Sequence, residues 1–181
     1  MKQITEHFNE SEFVCPCCGN LKYDIGLINL MERIYKYADN TANGCSKIII
    51  TSGYRCPAES VAVGGYANDA HTRGLAADFI IYDKYGKPYA AEEMAAIAYW
   101  CGATGIGIMT GACHADIRNF NNYVNGAWFG DERNGADITG DDKAINTFVT
   151  KWLPKTKTTA NTNKHKLTVA IDGKTVYESE V

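Results

Sequence analysis

Two histidines and one aspartate are the feature that most restricts how this chain can fold. His71 and Asp78 have the spacing H-x6-D in the run N-D-A-H-T-R-G-L-A-A-D-F, and His114 follows downstream in C-H-A-D-I-R. Two imidazoles and one carboxylate leave one tetrahedral position of a Zn²⁺ ion open, which is typical of hydrolytic rather than structural zinc sites. To share one ion, the loop carrying His71 must reverse onto the strand carrying Asp78, and Gly74 supplies the backbone freedom.

We therefore predict Zn²⁺ as the cofactor, with His71, Asp78 and His114 as its ligands. Taken one at a time, the same residues have simpler interpretations. Either histidine can be a hydrogen-bonded structural residue, and Asp78 can be a strand-end or turn residue.

Two kinds of group near these ligands are candidates for catalysis. Asp116 lies two residues after His114 and on the same face, because side chains alternate along a strand. A metallohydrolase needs a carboxylate beside its activated water as general base, and we predict that role for Asp116. Arg55 in S-G-Y-R can hold a substrate carboxylate or carbonyl oxygen, and Arg118 can orient Asp116 or bind substrate.

These charged groups also have structural alternatives. Asp116 and Arg118 alone can form an ordinary ion pair, and Arg55 alone can be a solvated or ion-paired surface residue. The remaining charged candidates are interpreted as solvated: Glu59, Asp69 and Glu132.

The apolar periodicity predicts an α+β domain, with helices packed on one side of a central, mainly antiparallel sheet. Asp24 is placed as N-cap of the first helix, Pro57 opens a short one, and Asp141 caps a last helix that ends near Leu153. A further helix covers 90–101. The last three predicted strands form a meander. The predicted strands are 47–51, 75–81, 105–109, 112–117 and 127–129.

The composition changes at Pro154. Residues 154–164 are polar and contain no large apolar side chain, which is typical of a linker. Residues 165–181 alternate in period two around Asp172-Gly173, a strong hairpin signal. We predict a main zinc-binding domain at 1–153, a linker at 154–164, and a C-terminal β-hairpin at 165–181. Because isolated hairpins are marginally stable, we expect this one to dock on the domain or pair with another copy.

Seven cysteines are present, three of them in the knuckle C-P-C-C-G formed by Cys15, Cys17 and Cys18. An odd count without a secretory leader favours reduced thiols over a disulfide framework. Three interpretations of the knuckle stay open. Its cysteines are small residues packed in a turn, ligands of a second metal shared with Cys45 or Cys56, or a disulfide.

Charge and hydropathy exclude two classes of partner. The net charge is −3 and lysine and arginine form no cluster, so phosphate-driven nucleic-acid binding is not expected. The opening M-K-Q-I-T-E-H-F has no apolar leader, and no segment approaches a membrane-spanning length. We expect synthesis in the cytoplasm without a signal peptide and no membrane insertion.

Several motifs in order resemble one family. S-G-Y-R-C-P, V-G-G, N-D-A-H-T-R-G-L-A-A-D-F, G-I-G-I-M and H-A-D-I-R, within about residues 8–130, are similar to the zinc D-alanyl-D-alanine metallopeptidases. That family includes bacterial D,D-carboxypeptidases and phage endolysins and shares its fold with the hedgehog signalling domain. The resemblance implies a hedgehog/D,D-peptidase-like fold, zinc on His71, Asp78 and His114, and an Arg55 that binds the peptide or its scissile carbonyl oxygen. The opening F-N-E-S-E-F-V-C-P-C-C-G is similar to prophage-type members.

The chain departs from the family pattern at one position. Several members carry their catalytic carboxylate three residues before the last histidine, where this chain has Gly111. Asp116 resembles the replacement used by another branch. The identity of the base is therefore less defined than that of the ligands.

The resemblance implies hydrolysis of a peptide bond in the stem peptides of bacterial peptidoglycan. The enzyme would be a D-Ala-D-Ala carboxypeptidase or an endolysin-type endopeptidase acting at the cell wall, and an L-alanyl-D-glutamate bond is a further possible target. The first alternative, prompted by Gly111, is a non-catalytic, zinc-stabilised wall-binding module. A second is an unrelated fold with coincidental histidines.

Overall fold

The computed structural model describes residues 2–118 and 127–157, and beyond these only the strands at 166–171 and 174–180. Most of the predicted linker and the Asp172-Gly173 turn lie outside the described residues.

The helices begin where the sequence places a start signal. The Asp24 carboxylate accepts a hydrogen bond of 2.7 Å from the Gly26 amide, and that of Asp141 accepts one of 2.9 Å from Ala144, so both predicted N-caps are confirmed. Pro57 occupies the first turn of its helix. In the described part of the chain, no helix is both long and apolar enough to cross a membrane. The α-helices are α1 (Ile25–Asp39), α2 (Pro57–Ala62), α3 (Ala91–Trp100) and α4 (Asp142–Trp152).

A six-stranded sheet forms the centre of the fold. Its strands are β1 (Lys47–Ser52), β2 (Ala76–Tyr82), β3 (Gly105–Ile108), β4 (Cys113–Asp116), β5 (Trp128–Asp131) and β6 (Ala136–Asp137). They lie in the order β1-β2-β4-β3-β5-β6. All neighbours pair antiparallel except β3 and β5, which confirms the α+β class with a mainly antiparallel sheet.

The predicted meander of the last three strands is wrong. β3 and β4 do pair antiparallel, but β5 runs parallel to β3 on its other edge. The reason is that β4 already pairs with β2 on one side and β3 on the other, so no edge of β4 is left for β5. β5 instead pairs along the free edge of β3.

The two faces of the sheet have different roles. Phe79 of β2 and Cys113 and Ala115 of β4 are fully buried in the core, which is completed by α1 and α3. Because side chains alternate across a strand, Asp78 and His114 lie on the opposite face. The sheet thus separates the candidate ligands from α1 and α3.

The C-terminal strands β7 (Lys166–Ile171) and β8 (Lys174–Glu180) pair antiparallel in a sheet of their own. The start of the predicted linker contacts the main domain: the Tyr37 hydroxyl donates to the Pro154 carbonyl (3.0 Å), and the Lys157 amide donates to the Asn40 carbonyl (2.6 Å). The predicted domain boundaries stay predictions.

Gly74 makes the reversal between His71 and β2. It has a φ of +74°, in the left-handed region that favours glycine. Its carbonyl accepts a hydrogen bond of 2.8 Å from the Asp24 amide. A Cβ at this position would lie 2.8 Å from the Lys22 carbonyl oxygen, so both conformation and close packing require glycine.

Replacing Gly74 should therefore destabilise the protein more than replacing a left-handed glycine in open space. Gly86, with a φ of +80° and no neighbouring atom at its Cβ position, is the matched control. We expect a loss of about 1 kcal/mol for Gly86→Ala and about 3 kcal/mol for Gly74→Ala, measured by chemical denaturation. Equal losses would contradict the close packing inferred for Gly74.

Candidate metal centre

Strand pairing places two of the predicted ligands side by side. In the register of β2 and β4, Asp78 is directly opposite His114, and Ala76 is opposite Asp116. His71 lies in the short 3-10 turn that Gly74 ends, so it approaches the same point from the loop before β2.

The atoms of the three predicted ligands converge. His71 Nε2 lies 3.1 Å from His114 Nδ1 and 3.3 Å from Asp78 Oδ1, and the latter two atoms are 2.9 Å apart. Ligand atoms about 2.0–2.1 Å from a tetrahedral zinc ion are about 3.3 Å from one another. All three side chains are buried. Donor chemistry and spacing therefore fit a zinc ion.

Each histidine is fixed by a second contact on the far side of its ring. His71 Nδ1 donates to the Gly53 carbonyl (2.8 Å), which leaves Nε2 directed at the site. His114 Nε2 lies 3.1 Å from Asp116 Oδ2, which leaves Nδ1 directed at the same point. Such contacts hold the tautomer and orientation that a metal-ligating histidine needs.

The charges at the site favour a bound cation. Burial lowers the pKa of His114, but its hydrogen bonds with Asp116 and Asp78 outweigh burial and raise that pKa to about 10. Burial raises the pKa of Asp78, and hydrogen bonds with His114 and His71 more than reverse this, so its pKa lies well below the usual range. The two carboxylates thus favour positive charge at His114, while Arg55 and Arg118 balance part of their own charge.

Arg55 contacts a predicted ligand. Its guanidinium donates to Asp78 Oδ2 (2.7 Å) and to the Ser52 hydroxyl (2.9 Å). A bulge at the end of β1 re-aims this part of the chain. Asp78 therefore presents one oxygen to the histidines and the other to Arg55.

Asp116 is enclosed. Its side chain has no exposed surface, and Arg118 donates to it through Nε (2.7 Å) and the backbone amide (3.0 Å). The structure thus brings Asp116 to the predicted ligands and Arg118, but the carboxylate lies beneath His114. This position suits a residue that orients His114 better than one that meets a water in the groove.

Glu132 is one of three carboxylates that line the groove but were interpreted as solvated from sequence, the others being Glu59 and Asp69. It is exposed, as expected, yet it lines the groove beside His114. Its amide donates to the Ile108 carbonyl (3.0 Å). A Cβ on Gly107 would lie 2.5 Å from Glu132 Oε1 and 3.1 Å from His114 Cβ. The carboxylate of Glu132 therefore lies close to His114. Only the parallel pairing of β3 and β5 brings it there, and no local motif signals that pairing.

A groove of about 1090 Å³ lies over the three predicted ligands. Arg55, Arg118 and Glu132 line it, together with the rings of Tyr66 and Trp128. The Arg118 guanidinium carbon lies 5.5 Å from the centre of the Trp128 ring. A groove of this volume accommodates a peptide of several residues.

Residues 6–117 match the family model described as Peptidase M15. The matched range covers more than half of the chain and contains all three predicted metal ligands. Comparison with curated proteins and with solved structures finds no match.

If Asp116 orients His114, removing its charge should weaken metal binding while leaving all three ligands in place. We expect Asp116→Asn to weaken zinc affinity roughly 10–100-fold, measured by competition with a chromogenic chelator. Asp131→Asn, which disturbs an ion pair with Arg133 and is not among the residues that line the groove, is the matched control and should leave affinity unchanged. Equal affinities for the two variants would contradict this role.

Proposed function

The chain belongs to the peptidase M15 family of zinc-dependent metallopeptidases, and from this premise we propose that it hydrolyses a peptide bond in bacterial peptidoglycan. The observation that carries the proposal is the convergence of His71, Asp78 and His114 on one point at the floor of an open groove. A buried metal site without such access would support only a structural role.

These three residues would hold the ion. When bound there, zinc would polarise the scissile carbonyl and lower the pKa of a water in its open position towards about 7. Proton transfer and positioning of the peptide would be carried out by side chains that line the groove.

We propose that Glu132 accepts the proton of the attacking water and delivers it to the leaving amine. It lines the groove next to His114, and as an exposed carboxylate it can reach both water and substrate. The enclosed carboxylate of Asp116, predicted from sequence as the base, would orient His114. The two roles are separable by experiment, because one variant loses proton transfer and the other loses metal.

The two arginines of the groove would position the peptide. Arg55 holds Asp78 with one nitrogen of its guanidinium, and the fork geometry of this group allows it to donate to a substrate carbonyl as well. Arg118 also lines the groove, against Trp128. We propose that it binds a carboxylate of the stem peptide.

The substrate follows from the resemblance of the motifs to the D-alanyl-D-alanine metallopeptidases. The opening F-N-E-S-E-F-V-C-P-C-C-G is similar to prophage-type members. We therefore propose a prophage-type lysin that acts at the cell wall. The test is mass spectrometry of muropeptides released from defined peptidoglycan by the zinc-loaded protein. Products cut in the stem peptide support the proposal, and the mass identifies the bond.

Unchanged muropeptides, with retention of the protein on sedimented walls, would instead support the non-catalytic wall-binding module. Gly111 is the observation that favours this second candidate, because it occupies the position at which several family members carry a carboxylate.

Replacing Glu132 should remove turnover without removing metal. We expect Glu132→Gln to lower kcat by roughly 10²–10⁴-fold at full zinc occupancy, measured as product release together with metal content. Glu59→Gln, another carboxylate that lines the groove, is the matched control and should retain most of its activity. Full activity of Glu132→Gln would rule out its role as the base.

A further inference from the structure

A second cluster of metal-binding side chains lies next to the groove. The sulfurs of Cys15, Cys18 and Cys56 are all within 4.8 Å of one another. Cys15 and Cys18 belong to a tight turn that follows the 3-10 helix Glu10–Phe13, and Cys56 caps α2 from a distant part of the chain. Zinc–sulfur bonds of about 2.3 Å place two thiolates of one ion less than 4 Å apart, so a small contraction would suffice.

The backbone of this turn is shaped around the sulfur of Cys15. The Cys15 amide donates to the Asn20 carbonyl (2.9 Å), and the Gly19 amide donates to the Cys15 carbonyl (3.0 Å). The Cys56 amide donates to Cys15 Sγ at 3.2 Å. Burial raises the pKa of the Cys15 thiol, but hydrogen bonds from the amides of Cys56, Cys18 and Cys17 outweigh it and lower that pKa to about 7. A sulfur surrounded by amide donors is stabilised as a thiolate.

A fourth cysteine lies in the same turn. Cys17 is next to Cys18 in the chain, and its closeness to Cys56 raises the pKa of its thiol, although its sulfur is not among the three that lie within 4.8 Å of one another. Cys17 and Cys18 are exposed, so they are not small residues packed into the core. One disulfide would use only two of the four sulfurs and would leave the others beside it. A tetrahedral ion uses all four.

We propose that Cys15, Cys17, Cys18 and Cys56 bind a structural zinc ion, distinct from the one expected at His71, Asp78 and His114. Its donor set is soft thiolate with no open position, which is the chemistry of a structural site rather than a catalytic one.

The ion would hold one wall of the groove. The Tyr54 amide donates to the Phe13 carbonyl (3.0 Å), so the cysteine turn and the segment that ends at Cys56 already run side by side. That segment supplies the Gly53 carbonyl that orients His71, and it carries Arg55. Fixing Cys56 to the turn would therefore fix two groups that act on the first metal site.

The number of zinc ions per chain tests this inference without reference to activity. Protein purified under reducing conditions should contain two zinc ions by native mass spectrometry and elemental analysis. We expect Cys18→Ser and Cys56→Ser each to lose one ion, His71→Ala to lose the other, and Cys18→Ser with His71→Ala to lose both. Cys101→Ser, half-buried and outside the cluster, is the matched control and should keep two.

Cobalt substitution distinguishes the two sites by their ligands. Thiolate-to-cobalt charge-transfer absorption should appear in the wild type and in His71→Ala, and should be absent from Cys56→Ser. A wild type that binds one ion, lost only in His71→Ala, would overturn the inference, as would a mass lower by two hydrogens that reports a disulfide among these cysteines.

Thiol alkylation of the unmutated protein covers the case in which a serine variant fails to fold. The exposed Cys17 and Cys18 should resist alkylation until a chelator is added. Mass spectrometry identifies which cysteines have been alkylated. Rapid alkylation of both before chelation would equally overturn the inference. Because neither readout depends on turnover, failure of the proposed peptidase activity would leave this result unaffected.

Discussion

The antiparallel register between β2 and β4 is the constraint on which the site depends. It sets Asp78 directly opposite His114, while Phe79 and Cys113 point into the core. Because side chains alternate along a strand, a slip of one residue would turn both polar groups into the apolar core and both apolar groups into the groove. Burial of the core face therefore fixes the geometry of the opposite face, and the fold and the metal site are specified together.

Every buried charge at the site has a defined partner. Asp78 divides its two oxygens between the histidines and Arg55, and Asp116 is held between His114 and Arg118. An unpaired charge in such a position would cost several kcal/mol. The space for this network comes from the small residues of β3, since the Asp116 carboxylate lies where a side chain on Gly105 would be. A side chain at Gly105 would therefore displace this carboxylate.

Local signals in the sequence were enough for much of this structure. The caps at Asp24 and Asp141, the left-handed Gly74 and the ligand candidates can be inferred because each depends on neighbours within a few residues, or on a spacing that resembles a known family. The parallel placement of β5 could not be inferred, because it depends on which sheet edge is free after β2, β3 and β4 have paired. For the same reason the sequence did not assign Glu132 to the groove. Cys56 was only one of two partners considered for the knuckle, because its closeness to Cys15 arises from the tertiary fold.

The proposed acid–base group Glu132 comes from a different part of the sheet than the three predicted ligands. The histidines and Asp78 come from β4, β2 and the turn before it, whereas Glu132 follows β5 at the far edge of β3. Changes to the segment after β5 can thus alter the proposed acid–base group without moving a predicted ligand. In such an architecture, reactivity can be engineered on a metal-binding framework that stays constant.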